Sequence, residues 1–215
     1  VLVWQNVVGE FDIMLFVLES LRNRINKPSK ARLLSRIIAR LSLWDFELAR
    51  YLAEVDERLL FEPIDSLNSV VQLLPVPDGL AASWEAGGMM LFDNVSLQHP
   101  YLLLADASKH AMLRRRLWEA QASDLLPLLE TRRHYWAQQL RTIIRTPIRL
   151  GEQTFEDIDE LEIGQLAFLA KQHNLKPQIR HATDTLRRYR NKLAHIEPLA
   201  YSEAFDDDLQ SNTMA

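Results

Sequence analysis

Apolar residues recur three and four positions apart over most of this chain, and prolines mark where each run has to stop. A 3.6-residue period means helices that each bury one stripe, and a proline beyond the first turn removes a helix hydrogen bond and kinks or breaks the helix. From Asp12 to Asn26, Ile13, Phe16, Val17, Leu21 and Ile25 keep that spacing, with Asp12 as N-cap. Asn26-Lys27-Pro28-Ser29 breaks the run. Ser29 then caps a second pattern through Leu33, Ile37, Leu41, Trp44, Leu48 and Leu52 to about Leu60, before Pro63. A short connection between two such helices predicts an αα-hairpin. Residues 1–9 read equally well as a short strand or as the continuation of an upstream element.

Residues 62–107 change character, because Pro63, Pro75, Pro77, Gly79, Gly87, Gly88 and Pro100 leave room only for short helical pieces, around Ile64–Leu74 and Pro77–Glu85. Trp84-Glu85-Ala86-Gly87-Gly88 lacks the Lys-Ser/Thr of a phosphate loop and the spacing of a dinucleotide fingerprint, so it reads as a packed turn anchored by Trp84. A soft domain boundary falls near residue 107. Beyond it, Ser108 caps a helix to Ala122, and Ser123 or Asp124 caps another that tolerates Pro127 in its first turn and ends before Pro147. Ile148 to Phe155 reads as a loop or small hairpin around Gly151. Asp157 opens a third helix that stops at Asn174, and Pro177 opens a fourth that stops before Pro198. Four helices in about ninety residues predict an antiparallel four-helix bundle over 108–201, preceded by a smaller helical and irregular region over 1–107. An acidic tail, 202–215, forms at most one short helix and then frays.

Composition removes several kinds of chemistry. The chain has no cysteine, which excludes disulfides, thiolate metal sites and a cysteine nucleophile together, and fits a cytoplasmic location. The six histidines include no i, i+4 pair and no HExxH, so no metal or other cofactor is predicted. The run Ile13–Leu18 is six residues long and is followed by Glu19, which is too short to span a membrane. The first residue is Val1, so an upstream domain or partner protein is expected. Net charge is −4 but uneven: −5 over residues 1–107, +5 over 108–201 and −4 in the tail. A locally basic segment in an acidic protein suits a polyanion such as RNA, although solvated helix faces produce the same imbalance.

Near the end of the last helical pattern stands Arg190-Asn191-Lys192-Leu193-Ala194-His195. Leu186, Tyr189, Leu193 and Ile196 keep one apolar stripe, so the polar residues between emerge on another face. Asn191 and His195 are neighbours at i, i+4. Arg190 and His195 lie about 140° apart on an ideal helix, so they converge only if the helix end bends or a second chain supplies one of them. Histidine suits proton transfer near neutral pH, and arginine presents a fixed fork of donors to phosphate.

RNKLAH resembles the Arg-(Asn/Asp)-x-x-x-His signature of the HEPN superfamily, small helical domains many of which are metal-independent ribonucleases. The resemblance implies a HEPN-like helical bundle and an endoribonuclease site formed across a homodimer. Arg190 would bind the scissile phosphate, Asn191 would orient the imidazole or donate to the phosphate, and His195 would act as general base or acid. Arg187, Arg188 and Lys192 would guide RNA to that site. A place in stress response or defence rests on the family alone. Many members are inactive, so a non-catalytic RNA-binding or dimerisation module stays open beside the enzyme, with Arg190 and Asn191 complementing a helix dipole and His195 capping carbonyls. Arg114-Arg115-Arg116 and Arg132-Arg133, with Trp118, Tyr135 and Trp136 nearby, read as a solvated face beside core aromatics, with a basic, aromatic surface for single-stranded RNA as the alternative. The acids at Asp157, Asp159, Glu160 and Glu162 read as first-turn charges that favour the helix dipole.

Overall fold

The computed structural model describes residues 7–210, and it is mainly helical. The first six and last five residues lie outside this range. The strand-or-continuation reading of 1–9 therefore falls mostly outside it, as does the fraying of the last residues. The chain divides into two compact units between Gln121 and Ala122.

The first unit is built on α1 (Glu10–Arg24), α2 (Pro28–Ser42) and α3 (Phe46–Glu54), which pack against one another. Helix α1 starts three residues earlier than an Asp12 cap suggests. Gly9 is the N-cap, and Asp12 accepts the Gly9 N–H at 2.8 Å from three positions on. Pro28 opens α2 because its missing N–H is an unpaired donor position in the first turn anyway. The core holds Ile13, Val17 and Leu21 of α1, Leu34, Ile37, Ile38 and Leu41 of α2, and Leu48 and Leu52 of α3, each worth about 1.5–3 kcal/mol of burial.

The continuous helix expected from Ser29 to Leu60 is broken at Leu43-Trp44-Asp45. Leu43 takes φ 55°, and Asp45 caps α3 by accepting the Leu48 N–H at 2.9 Å. Apolar spacing persists across the break because both helices face the same core, so periodicity could not register it. A 3-10 turn, Leu59–Phe61, leads into α4 (Pro63–Val71).

Residues 77–85, expected to hold a helical piece, form turns. After them comes an antiparallel hairpin that the sequence did not announce, β1 (Met89–Phe92) and β2 (Val95–Gln98), closed by Asp93 and Asn94 at φ 51° and 66°. Two consecutive positive φ values match the twist of a tight hairpin, and Asp and Asn adopt them at small cost. Trp84 is more exposed than an anchor would be. The turn depends instead on Gly88, where an added Cβ would lie 1.9 Å from the Ala81 carbonyl oxygen. The short α5 (Pro100–Leu104) follows.

Ser108–Ala122 and the helix expected after it are one continuous element, α6 (His110–Arg141), with Pro127 inside it and the unit division within its length. No glycine interrupts this stretch, and Pro127 removes only one backbone donor. The arginines read as a solvated face divide. Arg116 is 4% exposed and donates from Nη2 to the Gln98 carbonyl at 2.6 Å, while Arg132 is equally buried and donates from Nε to the Leu209 carbonyl at 3.0 Å.

In the second unit, the end of α6 is followed by the hairpin β3 (Ile148–Leu150) and β4 (Gln153–Phe155), then α7 (Ile163–Gln172) and α8 (Pro177–Ala194), which pack together. Asp157 caps a 3-10 turn rather than a long helix, and α7 begins after it. Asn174, at φ 47°, follows the end of α7. The segment after Tyr201 forms two short helices, α9 (Tyr201–Ala204) and α10 (Asp207–Gln210), and α10 packs on α8.

Candidate functional site

Helix α8 presents the motif. Pro177 occupies its first turn, and Ala182, Leu186, Tyr189 and Leu193 are buried along one face. Tyr189 is anchored further by its hydroxyl, which donates to Asp206 at 3.1 Å. The helix stops at His195. Ile196 then adopts φ 61°, and the Glu197 N–H returns to the Lys192 carbonyl at 2.9 Å, closing the helix end in a left-handed cap. Ile196 was expected on the buried stripe. The cap turns it out of the helix instead, and it is 53% exposed.

The last turns of α8 and the residues just beyond them line a surface cavity of about 280 Å³ with Asp184, Arg187, Arg188, Asn191, Lys192, His195 and Glu197. Five of the six residues singled out by the motif therefore come together. The His195 imidazole and the Asn191 amide are exposed, and neither makes a hydrogen bond or ion pair among the described residues. Arg188 is exposed too, with its guanidinium 5.2 Å from the Tyr189 ring centre and no ion pair among the described residues.

Other cations of the cavity are engaged. Arg187 donates to Asp184 at 2.8 and 3.2 Å. Burial raises the Asp184 carboxyl, but Arg187 and Lys171 outweigh it and hold the group below its ordinary range. Lys192 donates to both oxygens of Glu203 at 2.8 Å and stands 3.7 Å from Glu197. Partial burial works against the Glu203 charge as well, and the Lys192 ammonium and the Ala200 N–H overcome it, so that carboxyl is also lowered.

Arg190 is the sixth residue, and it opens elsewhere. It lines a separate cavity of about 260 Å³ with Leu126, Leu129, Glu130, Arg133, Glu162 and Ile163, and its guanidinium lies 3.7 Å from Glu162. The angular separation on the helix predicted this divergence, since the C-terminal cap falls after His195 and does not bend Arg190 toward it. Comparisons of the chain with family models, with curated proteins and with solved structures gave no match.

The acidic cluster is absorbed by neighbours within the second unit. Asp157 and Asp159 take the Arg141 guanidinium at 2.5 and 2.7 Å, and Asp159 also accepts from Gln138 at 3.0 Å. Among the described residues, no group of three or more His, Asp and Glu is placed to hold a metal ion, and no helix is long and apolar enough to cross a membrane. Asp184, Glu197 and Glu203 were not singled out beforehand. The i, i+3 spacing of Asp184 and Arg187 was a readable signal. Glu203 was not readable, because it reaches Lys192 from eleven residues away across the Pro198 turn.

Proposed function

We propose that the chain is a HEPN-like, metal-independent endoribonuclease that works as a homodimer through Arg190, Asn191 and His195. One observation carries this reading: an exposed imidazole and an exposed amide, neither paired among the described residues, share a cavity with the exposed guanidinium of Arg188, which lies against Tyr189 and pairs with no carboxylate among the described residues. His195 removes the 2′-hydroxyl proton, or protonates the leaving 5′-oxygen. Asn191 donates to a phosphate oxygen or steadies the ring. Arg188 and Arg187 draw the backbone in, Arg187 exchanging Asp184 for phosphate. Lys192, held by Glu203, contributes mainly to the field. Arg190 opens into another cavity, so the arginine that stabilises the phosphorane at a given His195 comes from the second copy. In this reading the second unit, with α7, α8 and the adjoining part of α6, is the HEPN-like bundle.

The Arg190–Glu162 and Lys192–Glu203 pairs favour a second reading, a non-catalytic helical module in which these residues stabilise the unit or bind RNA. Cleavage of RNA by the purified chain in EDTA, abolished by His195→Ala with helical content unchanged, supports the enzyme. Equal cleavage by wild type and variant would mean a contaminating nuclease and overturn it.

A further inference from the structure

Helix α1 is apolar on two faces. Ile13, Met14, Val17 and Leu21 are buried and account for one. Phe11, Leu15 and Leu18 form a second line at i, i+4 and i+7, which ends four residues later at Arg22. On a helical projection these four lie within about 60° of one another. Phe11 is 68% exposed and Leu15 53%. A contiguous apolar stripe left in water on a helix already anchored by its other face marks an interaction surface.

The two ends of the stripe are complementary. At the N-terminal end Phe11 stands out. At the C-terminal end a cavity of about 710 Å³ opens between α1 and α2, lined by Leu18, Arg22, Ile25, Pro28 and Ala31 among others. The first turn of α1 carries Glu10 and Asp12, and the last turn Arg22 and Arg24. Arg22 makes no ion pair or hydrogen bond among the described residues.

We propose that a second copy of the chain docks here, α1 antiparallel to α1, with each Phe11 entering the other's cavity. A two-fold axis requires that if one residue meets another, the second meets the first. An antiparallel pairing that sets Leu15 against Leu18 of the other copy also sets Phe11 against Arg22, because both pairs are centred on the same point of the helix. The ring then lies against an unengaged guanidinium. The same arrangement opposes the two helix dipoles; the charges at the helix ends add little, because Glu10 is held by Arg36 and Arg40 and Arg24 by Glu54 within the chain. A lipid surface would leave the cavity unfilled, whereas a second Phe11 fills it. This inference is independent of the ribonuclease reading.

The chain contains no cysteine, so introduced cysteines report on it alone. Chains carrying Leu15→Cys mixed with chains carrying Leu18→Cys should form an interchain disulfide several-fold faster than either variant alone, since only the mixed pair brings the two Cβ atoms face to face. Adding Phe11→Glu to both cysteine variants should abolish that difference with helical content unchanged, while adding His195→Ala should leave it intact, so the readout reports on the α1 contact whether or not the chain also pairs through α8. Cross-linking no faster in the mixture, or a mixed-pair rate indifferent to Phe11→Glu, would overturn the proposal.

Discussion

His99 and His195 both terminate a helix, one at the start of α5 and the other at the end of α8. His99 is 3% exposed, and both its ring nitrogens are engaged. The Tyr101 N–H can only donate, so Nδ1 accepts it at 3.3 Å. Nε2 therefore carries the proton and donates to Asp45 at 3.1 Å. The rings of Trp44 and Tyr101 stand edge-on to it, with centroids 5.8 and 5.1 Å away. The His195 side chain is exposed and has no partner among the described residues. The same side chain serves in one place as a joint between α3 and the segment opening α5, and in the other as a group free to exchange a proton with solvent or ligand. Neighbourhood separates the two roles, since both residues are histidines at helix ends.

Four substitutions test that contrast. His195→Ala should have the largest effect, lowering RNA cleavage by about 10²–10⁴-fold while shifting the urea midpoint hardly at all, because general acid–base catalysis is worth that much and an exposed side chain contributes little to stability. A large loss of stability would place His195 in the same class as His99. His99→Ala should do the reverse, costing about 3 kcal/mol in urea unfolding through two lost hydrogen bonds and a buried gap, with cleavage per folded molecule retained.

Asp45→Asn should cost about 1 kcal/mol, since the amide still caps the Leu48 N–H but loses the charged bond to His99. Its clearer mark is in acid. Burial raises the Asp45 carboxyl, yet the hydrogen bonds from His99 and from the Leu48 N–H outweigh burial and hold it below its ordinary 3.8. A carboxyl held low in the folded state contributes stability above its unfolded value, and that contribution is lost as pH falls through the folded value. Unfolding followed from neutral pH to below about 3.8 should therefore steepen in the wild type and flatten in Asp45→Asn. The smallest effect belongs to Ile196→Gly. The left-handed φ of 61° costs a β-branched residue about 1–2 kcal/mol, and glycine avoids it at some entropic cost, so thermal unfolding should show a gain of about 0.5–1 kcal/mol. A loss instead would mean that the exposed Ile196 packs on something beyond one chain.

Helix positions were legible wherever one chemical signal marked them. Pro177 stands in the first turn of α8 and Asn174 just beyond α7, as read, whereas Pro28 itself opens α2 in place of the expected Ser29 cap, and Pro63, read as the end of the preceding helix, opens α4. The misses share a cause. The break at Leu43-Trp44-Asp45 preserves apolar spacing, and the hairpin at Asp93-Asn94 uses turn residues without glycine. Helix α6 runs through Ser123-Asp124, a pair suited to capping, because no residue there obliges the chain to stop. In each case the local preference was weak and tertiary packing decided. The divergence of Arg190 from His195 was legible as an angle, whereas the pairing of Lys192 with Glu203 was not.

By itself the sequence determined a cysteine-free, mainly helical chain, the approximate placement of its long helices, and a motif whose arginine and histidine do not share a helix face. Those properties follow from residue type and from a 3.6-residue period, and both act locally. Tertiary structure decided which polar groups are spent. It buried Arg116 and Arg132 against backbone carbonyls, closed Lys192 onto Glu203, enclosed His99 between aromatic rings, and left His195, Asn191 and Arg188 open. A polar group's availability depends on partners brought from distant positions in the chain, and desolvation makes those partners obligatory once the group is buried.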